Sequence, residues 1–113
     1  MRPVHGTVKS HEDVDRLFKH GKRTFGKMVM ARIAKTPEGR DLSGRVAFIA
    51  GKRLGNAVLR NRCKRVMREA VRQAGGPWPG SDVAFIARNA KLAECSPEEL
   101  VEECNALTSS ITR

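Results

Sequence analysis

The chain has no tyrosine, one tryptophan and only 4% aromatic residues overall. It has no apolar run of about 20 residues, so no segment reads as a membrane-spanning helix. The opening residues Met1, Arg2, Pro3, Val4, His5 and Gly6 lack the apolar core of a secretory signal. Its three cysteines, Cys63, Cys95 and Cys104, include no CxxC pair, and an odd number makes a poor disulfide framework. Buried free thiols in a reducing cytoplasm are the simpler expectation. Ser-His-Asp, Cys-His and phosphate-loop patterns are missing, as are internal repeats and low-complexity segments. His5, His11 and His20 have no second ligand at helical or strand spacing, which argues against a metal or catalytic role.

Acids are also scarce. The 113 residues carry 22 Lys and Arg against 12 Asp and Glu, for a formal net charge of +10 and a pI near 10.4. A charge so far from zero on so small a body creates a strong positive potential, for which nucleic acid is the commonest counterpart. The length suits one domain over residues 1–113, and 40% hydrophobic residues suffice for a modest core.

Local signals give an order of elements. Ser10 and Asp13 begin a first helix with Val14, Leu17 and Phe18 on one face, and His20 and Gly21 end it, Gly21 being free to adopt a left-handed cap. Residues 27–33 and 45–50 read as strands separated by a turn or loop over 36–41, with an extra short strand allowed near Leu42 to Gly44. Residues 55–74 give the strongest helical pattern. Asn56 is its cap, and Leu59, Cys63, Val66, Met67, Ala70 and Ala74 fall in one arc, with Arg60, Lys64, Arg65, Arg68 and Arg72 opposite. The Gly75 to Gly80 stretch breaks the chain, with Trp78 as a loop anchor. Residues 83–87 form another strand, and Ser96-Pro97-Glu98-Glu99 starts a last helix lined by Leu100, Cys104, Leu107 and Ile111. The acids Glu98, Glu99, Glu102 and Glu103 read as its solvated face. The fold class is α/β (α+β), helices packed on one small sheet.

The positive charge is concentrated. Residues 45–72 hold nine bases and one acid, Glu69, a net +8. A merely solvated helix face mixes signs for i,i+4 pairing, whereas Arg60, Lys64 and Arg68 repel one another. A polyanion offsets that repulsion. Arginine's planar fork also holds two oxygens at fixed geometry, which suits docking onto structured nucleic acid.

The block from Gly51 through Gly55-Asn56-Ala57-Val58-Leu59-Arg60-Asn61-Arg62-Cys63-Lys64-Arg65 to Arg68-Glu69 closely resembles the signature of the bacterial ribonuclease P protein family. Phe18 to Gly21 and the Ile86-Ala87-Arg88 strand end fit the same layout. The resemblance implies a two-layer sandwich with a mixed sheet of about four strands, like the second domain of a small-subunit ribosomal protein. It also implies a left-handed β-α-β crossover, contrary to the usual hand. The implied function is that of the protein subunit of a ribonucleoprotein endonuclease that removes the 5′ leader of precursor tRNA. Its partners would be a catalytic RNA and precursor tRNA, with no membrane and no obligate protein partner. Catalysis would lie in the RNA, with Mg²⁺ held mainly there. By the same resemblance Arg60, Asn61, Arg62, Lys64, Arg65 and Arg68 contact the catalytic RNA, Asn56 fixes the start of their helix, and Lys52 and Arg53 lie near the leader or the cleavage site. Val14, Phe18, Met30 and Arg32 match a leader cleft between the first helix and the sheet. Family members often carry rings along this cleft. Here Val14 and Ala31 stand where a ring is expected, so leader binding should lean on Phe18, aliphatic contacts and backbone electrostatics.

Other readings make different demands. A purely structural RNA-binding protein, such as a ribosomal protein, would not need the intact Gly-Asn-Ala-Val-x-Arg-Asn-Arg-x-Lys-Arg block. A DNA-binding regulator would prefer one duplex sequence and usually dimerise through an apolar stripe, and no spare stripe is visible. A stand-alone protein nuclease would need a catalytic constellation.

Overall fold

A computed structural model describes residues 6–7, 17–36, 44–76 and 78–109. Five strands form one sheet: β1 (Gly6–Thr7), β2 (Lys22–Phe25), β3 (Val29–Lys35), β4 (Arg45–Ile49) and β5 (Ser81–Ala87). Their spatial order is β1-β4-β5-β3-β2. The β2–β3 and β3–β5 pairs are antiparallel, and β4 lies parallel to both β1 and β5. Among the described residues three segments are α-helical: α1 (residues 17–20), α2 (Ala57–Gln73) and α3 (Pro97–Leu107). Short 3-10 turns cover Lys52–Leu54 and Ala90–Glu94. Parallel neighbours cannot be joined by a tight turn, and α2 is the crossover between β4 and β5.

The strands alternate between two faces of the sheet. Val29 and Ala31 of β3, Val46 of β4, and Val83, Phe85 and Ala87 of β5 pack with Cys63, Met67, Ala70 and Val71 of α2 and Leu100, Cys104 and Leu107 of α3. Trp78 is buried in this layer, its ring 5.9 Å from that of Phe85, so it anchors its loop. The opposite face has a smaller cluster, in which Leu17 of α1 packs on Ala47 and Ala84, flanked by Ala34, Ile49 and Ile86. Among the described residues, one face is thus covered by two long helices and the other by the Leu17 cluster.

The N-caps of the two long helices are as the sequence indicates. The Asn56 side chain accepts from the Leu59 amide at 2.9 Å, and Ser96 Oγ accepts from the Glu99 amide at 3.2 Å, with Pro97 in the first turn. The two strands expected around residues 27–33 and 83–87 run instead over Val29–Lys35 and Ser81–Ala87. Ser10, Asp13 and Val14, most of the 36–41 loop, Leu42 and Ile111 lie outside the described residues. Gly44 belongs to no strand.

The mixed sheet of about four strands is borne out, and among the described residues it counts five with the two-residue β1 and the edge strand β2. β2 escapes detection because Lys22-Arg23-Thr24-Phe25 holds a single apolar residue, and an edge strand needs little burial. Gly21 also differs from expectation. It is not in the left-handed region, and its amide donates to Leu17 O at 2.9 Å. A Cβ there would collide with that same carbonyl, so close approach accounts for the glycine.

Glu103 corrects the reading of the acids as one solvated face. Its Oε2 accepts from the Met28 and Val29 amides at 2.8 and 2.9 Å, pinning the β2–β3 turn to α3. Gly26 makes room for that carboxylate, since a Cβ would strike Glu103 Oε2. At the far end of the sheet Asp82 is fully buried, paired with Arg45 at 2.5 Å and accepting from Thr36 Oγ1 at 3.1 Å. Hydrogen bonding of this kind is what makes a buried carboxylate tolerable.

Candidate nucleic-acid interface

The approach to α2 is built by glycine. The Leu54 amide donates to Gly51 O at 3.1 Å and the Gly55 amide to Lys52 O at 3.2 Å, forming the 3-10 turn. Gly55 has φ 145°, a backbone that side chains disfavour, and a Cβ there would sit 2.7 Å from Leu59 Cδ2. Lys52 and Arg53 are therefore held outward, both exposed, directly before the Asn56 cap.

On α2 itself Asn61, Arg62, Arg65 and Arg68 are exposed, while Arg60 and Lys64 are half-buried along its flank. Cys63 and Met67 turn inward. Among the described residues no carboxylate lies within ion-pair reach of Arg60, Arg62, Lys64, Arg65 or Arg68. The Arg68 guanidinium lies 5.2 Å from the centre of the Phe48 ring, which itself stacks on Phe85 at 6.3 Å. This contact fixes Arg68 against the edge of the helical layer. The last turn is different. Arg72 pairs with Glu69, whose carboxylate also accepts from Gln73 at 2.9 Å. The hydrogen bond from Arg72 holds the Glu69 carboxyl well down, at about 2. The free positive face thus runs from Lys52 to Arg68 and stops where Glu69 neutralises Arg72.

The second candidate surface is the sheet face opposite α2. Phe18 is 38% exposed, and the Arg32 guanidinium lies 5.1 Å from its ring centre while Arg32 Nη1 donates to Phe18 O. Phe18 and Arg32 are thus brought together at the end of α1. Met30 is on the same face, two residues along β3 and half-buried. Val14 is not among the described residues. Arg32 lies in register with Arg23 of β2, and Met30 with Phe25.

Phe25 and Arg88 are absent from the set of site residues read from sequence. Phe25 is 59% exposed, and the Arg88 guanidinium sits 5.3 Å from its ring centre. A hairpin with Gly26 at its turn would have placed Phe25 beside Met30, so the signal existed once β2 was recognised.

Cys63, Cys95 and Cys104 are free thiols. Burial raises the pKa of Cys63, and burial with the Glu99 and Glu103 charges raises that of Cys95. Cys104 is pushed up to about 12, chiefly by burial. The described residues include no group of three or more His, Cys, Asp or Glu that could hold a metal ion. None of the described helices is long and apolar enough to cross a membrane.

Against known proteins, residues 3–112 match the family model described as Ribonuclease P. The chain is 40% identical over 94 residues to the ribonuclease P protein component of Roseiflexus castenholzii, covering 82% of this chain and 75% of that one. It is 36% identical over 102 residues to the ribonuclease P protein component of Symbiobacterium thermophilum, covering 85% and 84%. Its fold resembles the Staphylococcus aureus RNase P protein, with TM-score 0.75 at 22% identity over 98% of this chain and 97% of that one. The Thermotoga maritima RNase P protein gives TM-score 0.76 at 24% identity over 96% and 100%.

Proposed function

The chain belongs to the ribonuclease P protein family, and from that premise we propose how its surfaces serve the holoenzyme. It is the protein subunit of the ribonuclease P endoribonuclease, which works with the ribonuclease P RNA in removing the 5′ leader from precursor tRNA. In our reading the exposed face of α2 and the turn before it dock on the catalytic RNA. Arg60, Asn61, Arg62, Lys64, Arg65 and Arg68 supply the contacts, Asn56 fixes the start of the helix, and Lys52 and Arg53 reach toward the leader or the cleavage site. Phe18, Met30 and Arg32 form the leader surface on the opposite face of the sheet, and Val14, outside the described residues, is assigned to it from the sequence alone.

The observation that carries this reading is the run of cations on α2 that no described carboxylate pairs. Repulsion among them is relieved when phosphates take the place of the missing acids. Arginines in this setting hold RNA in one orientation, because each fork fixes two acceptors. The leader surface works differently. It couples a half-exposed ring to a guanidinium, which suits an unpaired base and its adjacent phosphate.

Mg²⁺ supplies Lewis-acid and nucleophile-activating chemistry to phosphodiester hydrolysis. Among the described residues Asp82, Glu69 and Glu103 are engaged with Arg45, Arg72 and backbone amides, and no three His, Cys, Asp or Glu form a group that could hold the ion. In our reading Mg²⁺ is held mainly by the RNA, as the family resemblance implies, and this chain has positioning roles. Residues 1–113 are read as one domain, and the three free thiols suit a cytoplasmic setting.

The test is reconstitution. The organism's ribonuclease P RNA is assayed at low Mg²⁺ on precursor tRNA, with and without this protein. Restored removal of the 5′ leader supports the reading. Binding of the RNA with no gain in cleavage would make the chain a structural RNA-binding protein.

A further inference from the structure

We propose that the leader surface continues past β3 onto the edge strand β2, where Phe25 and Arg88 form a stacking platform for one unpaired leader base. This rests on the reading of that sheet face as the leader surface.

Strand register carries the first part of the argument. Phe25 pairs with Met30, Met30 with Ile86, and Ile86 with Ile49, so four apolar side chains form one row across β2, β3, β5 and β4. At strand spacings of about 4.8 Å the row is roughly 14 Å long. It lies on the face away from α2 and α3. Thr24, next to Phe25, points the other way and donates from Oγ1 to Leu107 O at 3.4 Å. Val29 and Ala31, on either side of Met30, are buried in the helical layer.

The platform is also held in place. Arg88 Nη1 donates to Gly26 O at 2.7 Å and its amide to Met28 O at 2.8 Å, which ties the end of β5 to the β2–β3 turn. Glu103 pins the same turn from behind through the Met28 and Val29 amides. A ring that is 59% exposed, with a guanidinium over it, therefore projects from an anchored turn. Single-stranded nucleic acid is bound by this pairing of a π-face for the base with a cation for the phosphate.

The charge of the face selects the occupant. In the row beside Phe25, Arg23 is directly opposite Arg32, and like charges across a strand pair repel. Arg32 Nε is buried with no hydrogen-bond partner among the described residues. A second copy of this chain would set cations against cations. Duplex RNA keeps its base faces stacked inside, so an unpaired strand is the ligand that satisfies both the ring and the arginines. In a chain with no tyrosine, Phe25 supplies stacking area that the aliphatic positions of the cleft do not.

The test compares holoenzymes carrying Phe25→Ala, Phe25→Trp and Phe18→Ala with the unaltered protein. Affinity is measured for mature tRNA and for precursors with leaders of increasing length. We expect Phe25→Ala to weaken binding of long-leader precursors on the order of tenfold, the size of one lost base stack, with Phe25→Trp retaining it. The loss should be absent for mature tRNA and for the shortest leaders. If Phe25→Ala binds every leader as the unaltered protein does while Phe18→Ala keeps a leader-specific loss, the platform is wrong and the leader surface stands. If the unaltered holoenzyme does not distinguish precursor from mature tRNA, the leader surface and the platform both fall. A loss equal for mature and precursor tRNA also overturns the platform.

Discussion

α2 and α3 pack side by side on one face of the sheet, yet they use their charges in opposite ways. The acids of α3 are partly spent inside the protein. Glu99 sits in the first turn, where its amide and carboxylate both meet Ser96 Oγ, and Glu103 holds the amides of the β2–β3 turn. The bases of α2 up to Arg68 have no such carboxylate partners among the described residues, and only Arg72, in the last turn, is paired. Charges satisfied internally, as at Glu99 and Glu103, are explained by the fold. A helix whose charges are left unsatisfied is explained by what binds it.

The strongest way to break the comparison is to reverse charges on α2. Arg62→Glu with Arg65→Glu should lower affinity for the catalytic RNA by at least about a hundredfold, since two charge-assisted contacts are lost and two repulsions gained. Both side chains are exposed, so the melting temperature should change little. Unaltered affinity in a binding titration would remove α2 from the interface.

The converse belongs to α3. Glu103→Ala should cost about 2 kcal/mol of stability in a denaturant titration, because two amides lose a charged acceptor. Affinity for the catalytic RNA should stay close to that of the unaltered protein once the variant is folded. An unchanged denaturation midpoint would contradict the clamp.

A smaller effect is expected with pH at Cys104. Burial favours its neutral thiol, so this group's contribution to stability is complete below its ordinary value of 9.0 and is lost as pH rises through about 12. At pH 8 the native thiol should resist alkylating reagents and react once the chain is unfolded. Rapid native-state labelling would show that it is not held as described.

The smallest effect is at the paired end of α2. Glu69→Gln removes the carboxylate that holds Arg72 and should raise affinity for RNA slightly, with a steeper salt dependence. A fall in affinity would mean that the Arg72–Glu69 pair itself is part of the docking surface.

Local signals were legible in the sequence and long-range ones were not. Asn56 and Ser96-Pro97 announce their helices because a cap is written within three residues of the turn it satisfies. The arginine face of α2 is legible for the same reason, since helical spacing alone collects Arg65, Arg68 and Arg72 away from Cys63 and Met67. Glu103 reads as one more solvated acid because its partners, Met28 and Val29, are 75 and 74 residues away. Phe25 lies in a polar stretch and gains its place beside Met30 only through strand register. Phe18, which helical spacing sets beside core residues, turns out half-exposed under Arg32, a relation fixed by how α1 lies on β3.

The central claim is that the unpaired bases of α2 are neutralised by phosphates of the catalytic RNA. The most direct measurement is the slope of log affinity against log salt concentration for the unaltered protein, Arg62→Ala, Arg65→Ala and Glu102→Gln. Each arginine removed should lower the slope by ~0.7–0.9, the yield of one phosphate contact, while Glu102→Gln on α3 should leave it unchanged. Slopes that stay the same for both arginine variants would contradict the account, because α2 would then carry its charge without meeting the RNA.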